Sequence, residues 1–196
     1  MKRRSLLLVL SSLAFAVLAP AAPAQSFSDP GLGFGAALHL SEGRAADGTT
    51  VSGSLHVRYR LTGALGLEGA VGYRRETLGD AAGPLLSVRE VPLTGTGQLF
   101  FLSRGRVQPY LLAGAGLHVI RTTPEGRNPS ADEKTEALFT LHAGAGIDVR
   151  PSRASAVHLD ARWFFLEPNA LSDLAEAGYD VPAGYWAVAL GVTFYR

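Results

Sequence analysis

Eight stretches of this chain alternate apolar and polar residues with a period of two, and the links between them alternate in length. The stretches are 31–40, 51–61, 64–75, 87–101, 107–120, 136–150, 156–166 and 184–195. A period of two sends successive side chains to opposite faces of a β-strand. The links after the second, fourth and sixth stretches are tight: Thr62-Gly63, Leu102 to Arg106, and Pro151 to Ser155. Those after the first, third, fifth and seventh are longer: Ser41 to Thr50, Glu76 to Leu86, Arg121 to Thr135, and Glu167 to Ala183. Short turns at one end and long loops at the other predict an all-β fold, an eight-stranded antiparallel up-and-down transmembrane β-barrel. Its turns would be periplasmic and its loops extracellular. A soluble meander has no reason to segregate its loops this way.

Residue parity separates the two faces. In the fifth strand Leu111, Ala113, Ala115, Leu117 and Val119 alternate with Gly114, Gly116 and His118. The sixth sets Phe139, Leu141, Ala143, Ala145, Ile147 and Val149 against Thr140, His142, Gly144, Gly146, Asp148 and Arg150. One face is continuously oily; the other mixes charge with glycine. An eight-stranded barrel has an interior only wide enough for side chains, so glycine makes room for long charged ones. Outward parity also bands the aromatics. Phe34, Tyr59, Phe101 and Phe194 fall near the short-turn end; Tyr73, Phe139, Trp163, Phe165 and Trp186 fall towards the long loops. Two aromatic belts about an aliphatic waist are expected where rings seek the headgroup level.

The amino terminus reads as an export signal over residues 1–24, with the barrel domain over 25–196. Lys2, Arg3 and Arg4 precede a mostly apolar Leu6 to Leu18, and Ala22-Pro23-Ala24 offers small residues for cleavage after Ala24. The apolar run is short for a helical span, which needs about 20 residues. Its removal takes three cations and no acid, turning the net charge of +1 into −2. That balance offers no basic field for nucleic acid. The chain has no cysteine, so disulfides and thiolate metal sites are excluded.

The inward polar set carries the most chemistry: Arg58, Arg60, Glu68, Arg74, Glu90, Gln98, Asp148, Arg150, Asp160 and Arg162. Arg58 and Arg60 are expected to face Glu68 across the tight turn, with Asp160 and Arg162 beside Asp148 and Arg150. Opposite charges across strands stabilise pairing, and a paired buried charge is far less costly than a lone one. A charge-paired plug is the preferred reading over an ion path. Histidines 39, 56, 118, 142 and 158 also fall inward, with hydrogen bonding rather than metal binding as the default. His118 and His142 could approach one another. No catalytic, cofactor or metal site is expected. The short His39-x-Ser41-Glu42 motif lacks the oriented third group that a nucleophile and its base require.

The chain resembles the small eight-stranded outer-membrane barrels, the OmpA-type and OmpW-type outer membrane protein β-barrel domain group. The resemblance rests on 108–116 (QPYLLAGAG), 142–148 (HAGAGID), 159–164 (LDARWF) and the ending 190–196 (LGVTFYR). Members usually finish on an aromatic residue; here Arg196 follows Phe194 and Tyr195. The resemblance implies a bacterial outer-membrane location among lipid and lipopolysaccharide, insertion by the barrel-assembly machinery, and a structural, envelope-integrity or adhesive role. The polar loop 121–135 and the loop 167–183, with Leu171, Leu174 and Ala175 at helical spacing, are where an extracellular ligand would dock. Other classes stay open: a narrow OmpW-type channel for small hydrophobic molecules, a lipid A-modifying enzyme, and a soluble lipocalin-type barrel with its oily face inside. The anchoring role of larger OmpA-type proteins is not expected, since no peptidoglycan-binding domain follows the barrel.

Overall fold

The computed structural model describes residues 31–42, 48–80, 83–102, 105–124, 133–166 and 184–196. Eight strands run in chain order: β1 (Gly31–Glu42), β2 (Thr49–Arg60), β3 (Leu65–Asp80), β4 (Gly83–Phe100), β5 (Val107–Pro124), β6 (Lys134–Ser152), β7 (Ser155–Leu166) and β8 (Gly184–Tyr195). Each pairs antiparallel with the next, and β1 closes on β8 from Gly33 opposite Tyr195 to Ser41 opposite Ala187. Closure leaves no sheet edge, which hydrocarbon demands because an unpaired backbone group there costs several kcal/mol.

The wall points its oily side outwards. Leu38, Leu55, Val57, Leu67, Val71, Leu93, Leu111, Leu117, Leu141 and Leu190 are all exposed, while Arg58, Glu68, Asp148, Asp160 and Arg162 are buried. That inverts a soluble protein and rules out the lipocalin arrangement. Phe34 stands opposite Phe194 towards the turn end, and Trp163 stands opposite Trp186 towards the loop end. Tyr59, Tyr73, Phe101, Phe139 and Phe165 are likewise exposed. Trp163 is partly covered, its ring edge-on to Trp186 at 5.3 Å.

The sequence pattern ends two strand pairs too early. Most of the expected loop from Glu76 to Leu86 is strand, so that β3 and β4 continue to Asp80 and from Gly83. Similarly, β5 reaches Pro124 and β6 starts at Lys134, leaving fewer residues between them than 121–135. Beyond the bilayer neither face needs to be oily, so the alternation fades while the hydrogen-bonded ladder continues. At the other end β2 stops at Arg60, and the turn spans 61–64. There the Thr62 hydroxyl accepts from the backbone N–H groups of Ala64 and Leu65. The β6–β7 turn is tighter than expected, since strand resumes at Ser155. Its register shifts between Val149 and Ser152, where Pro151 cannot donate to the ladder. The signal segment 1–24, the cleavage site and the helical spacing at 171–175 lie outside the described residues.

Candidate functional site

The lumen is the site, and the strand register decides who meets whom inside it. Glu68 on β3 stands opposite Arg58 on β2, and their side chains join at 2.6 Å (Arg58 Nε to Glu68 Oε2). Arg58 also reaches across the barrel to Asp148 Oδ1 on β6, at 3.1 Å. From β7, Arg162 donates to Glu68 Oε1 at 3.0 Å and to Asp160 Oδ1 at 2.6 Å. Gln98 Nε2 donates to Glu68 Oε2 at 3.3 Å, and the Tyr110 hydroxyl to Asp160 Oδ2 at 3.0 Å. One carboxylate thus ties β2, β4 and β7 to β3. Guanidinium–carboxylate bonds are among the strongest available hydrogen bonds.

Two expected pairings are not formed. Opposite Asp148 stands His158, and opposite Asp160 and Arg162 stand Gly146 and Gly144. The β6 and β7 charges are therefore not cross-strand neighbours. Asp148 and Arg162 are joined to the far wall instead, while Asp160 pairs with Arg162 on its own strand. Arg60 lies opposite Gly66, not Glu68. It turns to the short-turn rim, donating to the Thr62 and Gly63 carbonyls and lying over the Phe100 ring at 3.4 Å. Arg150 lies over the Tyr195 ring at 4.4 Å.

A second cluster sits nearer the loops. Glu90 Oε1 meets His118 Nδ1, and its other oxygen lies 3.9 Å from Arg74. Arg74 also donates to Glu76 at 3.2 Å and to the Glu42 carbonyl at 2.8 Å. Tyr185 stacks flat on Phe164 at 5.0 Å, with Arg74 over Tyr185. His118 and His142 do not meet through a bond of their own. Both pack against Phe164, at 5.7 and 5.2 Å. His142 pairs with Thr96 at 2.9 Å and His56 with Thr193 at 2.9 Å. His39 pairs with Ser54 at 2.8 Å, while the Ser41 hydroxyl donates to the Thr50 carbonyl. These two residues of the short motif are thus directed to separate partners. Among the described residues no group of three His, Asp or Glu side chains is arranged to hold a metal ion.

Between the two ionic clusters lies a cavity of about 60 Å³, lined by His39, Ser54, His56, Arg74, His118 and Phe164 among others. At about 10–15 Å³ for each water, it has room for only a handful. Phe164 and Tyr185 line it, and Phe100, Tyr110 and Tyr195 form a further inward aromatic group nearer the short turns. Their inward facing is not evident from the pattern alone. Their even or odd positions were the available signal, but an aromatic residue suits either face of a strand.

Known structures share this architecture. The N-terminal β-barrel domain of Pseudomonas aeruginosa OprF is similar at 16% identity and a TM-score of 0.53, covering 86% of this chain and 100% of that one. Yersinia pestis Ail, crystallised with the heparin analogue sucrose octasulfate, is 15% identical with a TM-score of 0.54, over 86% and 99%. P. aeruginosa OprG is 13% identical with a TM-score of 0.63, over 85% and 95%. At these identities the likeness is one of fold. No curated protein matches the sequence. Residues 6–194, by contrast, match the family described as "Outer membrane protein beta-barrel domain". A closed wall with its leucines outward and its charges buried fits that description, and the chain belongs to the outer membrane protein β-barrel domain family.

Proposed function

We propose that this protein is a sealed outer-membrane barrel whose role is structural, in envelope integrity, or adhesive through its external hairpins, rather than one of bulk transport. The observation that carries this reading is the pair of ionic links crossing the lumen, Arg58 to Asp148 and Arg162 to Glu68. Together with the aromatic layers on either side they leave no continuous wide path. A conduit for small hydrophobic solutes would need a continuous apolar path; the cavity mixes Ala37, Ala70, Pro92 and Phe164 with His, Ser, Arg and Glu, and the ionic links interrupt any such path. Fold alone does not assign a role, since function resides in sites grafted on folds. Ail, an attachment invasion locus protein by its description, illustrates the fold turned to attachment. By analogy the β3–β4 and β5–β6 hairpins, which outrun the oily wall, are where a partner outside the cell would bind.

The test is electrical. Purified protein reconstituted into planar bilayers is expected to give no porin-sized conductance steps; frequent large steps in the wild type would refute the plug. A deletion strain would then be compared with its parent for dye leakage and for attachment to host cells. The reading further has the export signal removed after Ala24. Intact mass of the protein extracted from outer membranes checks this, and a mass retaining residues 1–24 contradicts it.

A further inference from the structure

Two buried histidines meet in the lumen without a carboxylate of their own. His56 of β2 and His158 of β7 face each other across the bore, their rings edge-on at 5.1 Å. β1 and β8 lie between their strands in the wall, so this is not a contact of ladder neighbours. His56 Nε2 pairs with the Thr193 hydroxyl at 2.9 Å, while His158 Nδ1 has no hydrogen-bond partner. Both rings line the lumen cavity, where water can carry a proton to them.

The fixed charges around them are already matched. Among the described residues the buried charges are five arginines and five carboxylates. Arginine keeps its proton, so an imidazolium formed at this pair is a cation in excess. Nearest the pair stand Arg58 on β2, Glu68 on β3, and Asp160 and Arg162 on β7. On β6, Asp148 is the ladder partner of His158. The other neighbours carry no charge: β1 sets Gly35 opposite His56 and turns His39 to Ser54, β3 sets Ala70 opposite His56, and β8 offers Thr193 and Gly191.

The nearby carboxylates are occupied. Glu68 takes Arg58 and Arg162, Asp160 takes Arg162 and Tyr110, and Asp148 Oδ1 takes Arg58. Asp148 Oδ2 has no partner, which leaves room for one new donor, and His158 stands opposite it. A first proton therefore has a place to go. A second, on His56, finds no free carboxylate oxygen and sets two like charges in ring contact beside Arg58. Such charges repel strongly where little water separates them. By then His158 also shares the carboxylate that holds Arg58 across the bore.

We propose that His56 and His158 form an acid-operated latch on the lumen plug. Neutral or singly protonated, the pair packs and the bore stays shut. Doubly protonated, the rings part, Arg58 loses its hold on Asp148, and a narrow path opens. That path favours anions, because the added protons leave the lumen positive. The inference rests on the sealed-barrel reading, and the two fail differently.

Planar-bilayer recordings of the full chain at about pH 7.5 and about pH 4 test it, since histidine changes charge as neutral solution turns acid. The wild type is expected to be closed at neutral pH and to open at least about tenfold more often in acid, as the repulsion of two adjacent charges requires. Under a salt gradient the reversal potential should show anion preference. His56→Gln, His158→Gln and the double variant hold at most one of the two charges and should stay closed throughout. His142→Gln, which removes a histidine paired with Thr96, should open like the wild type. Heat-shifted gel migration at each pH checks folding; if the double variant does not fold, either single variant gives the same readout. Porin-sized steps in the wild type at neutral pH overturn the sealed barrel itself. A folded wild type that stays shut in acid overturns the latch and leaves the plug standing. A wild type that unfolds in acid overturns the latch as well. Opening of the glutamine variants equal to the wild type overturns it and assigns the response to the plug's carboxylates. Closure of His142→Gln equal to theirs overturns the pair as its seat.

Discussion

Replacing Glu68 by alanine is expected to cost the folded barrel about 3–5 kcal/mol, the range for breaking a buried ion pair by removing one partner. Glu68 is buried and accepts from Arg58, Arg162 and Gln98 at once. Without it Arg162 retains Asp160, Arg58 retains Asp148, and the Gln98 amide loses that acceptor. Glu68→Gln preserves the shape and one hydrogen-bond acceptor while removing the charge, so it should fall between wild type and Glu68→Ala. Equilibrium urea unfolding in phospholipid micelles, followed by tryptophan fluorescence, measures all three. The exposed Arg121–Glu133 pair provides the contrast, since solvent screens it and Glu133→Gln should leave the midpoint nearly unmoved. A loss below about 1 kcal/mol for Glu68→Ala would mean that the network contributes little beyond its own desolvation cost.

The path of the chain was written plainly in its period-two pattern, but the contacts inside it were not. Strand count, direction, closure and the facing of the wall follow from parity and loop length, because lipid outside and a narrow lumen inside punish every misplaced side chain. The buried positions of Arg58, Glu68, Asp148, Asp160 and Arg162 follow from the same rule. Their partners do not. Parity gives a face without giving a height, and in a barrel this narrow a guanidinium reaches the far wall as easily as the adjacent strand. Arg162 therefore meets Glu68 across the lumen, where sequence reasoning looked only to β6. The external hairpins were missed for the opposite reason. Beyond the membrane neither face need be oily, so Thr122 opposite Lys134 pairs as strand without an oily alternation to announce it.

Glycines offer a sharper test of the wall's two sides than any charge. Gly144 on β6 faces inward opposite Arg162. A Cβ built there would lie 2.1 Å from the Ala161 carbonyl oxygen and 3.0 Å from the Arg162 Cα. Both obstacles are backbone, so no rotamer change relieves them; either the β6–β7 ladder parts locally or the strand shifts. Gly144→Ala is accordingly expected to destabilise by about 3 kcal/mol, the upper end of the ordinary cost of overpacking, and to slow assembly. Gly69→Ala makes the same chemical change on the outer face, where nothing stands within 4 Å. It should be neutral or stabilise by up to about 1 kcal/mol, because alanine loses less backbone freedom on folding. Urea midpoints and the fraction showing heat-shifted migration after refolding into detergent compare the two directly. Equal effects would mean that strand propensity governs both positions. A large difference in the stated order would mean that the inward glycines are required by the close approach of neighbouring strands, leaving the outward ones free to vary with the lipid they face.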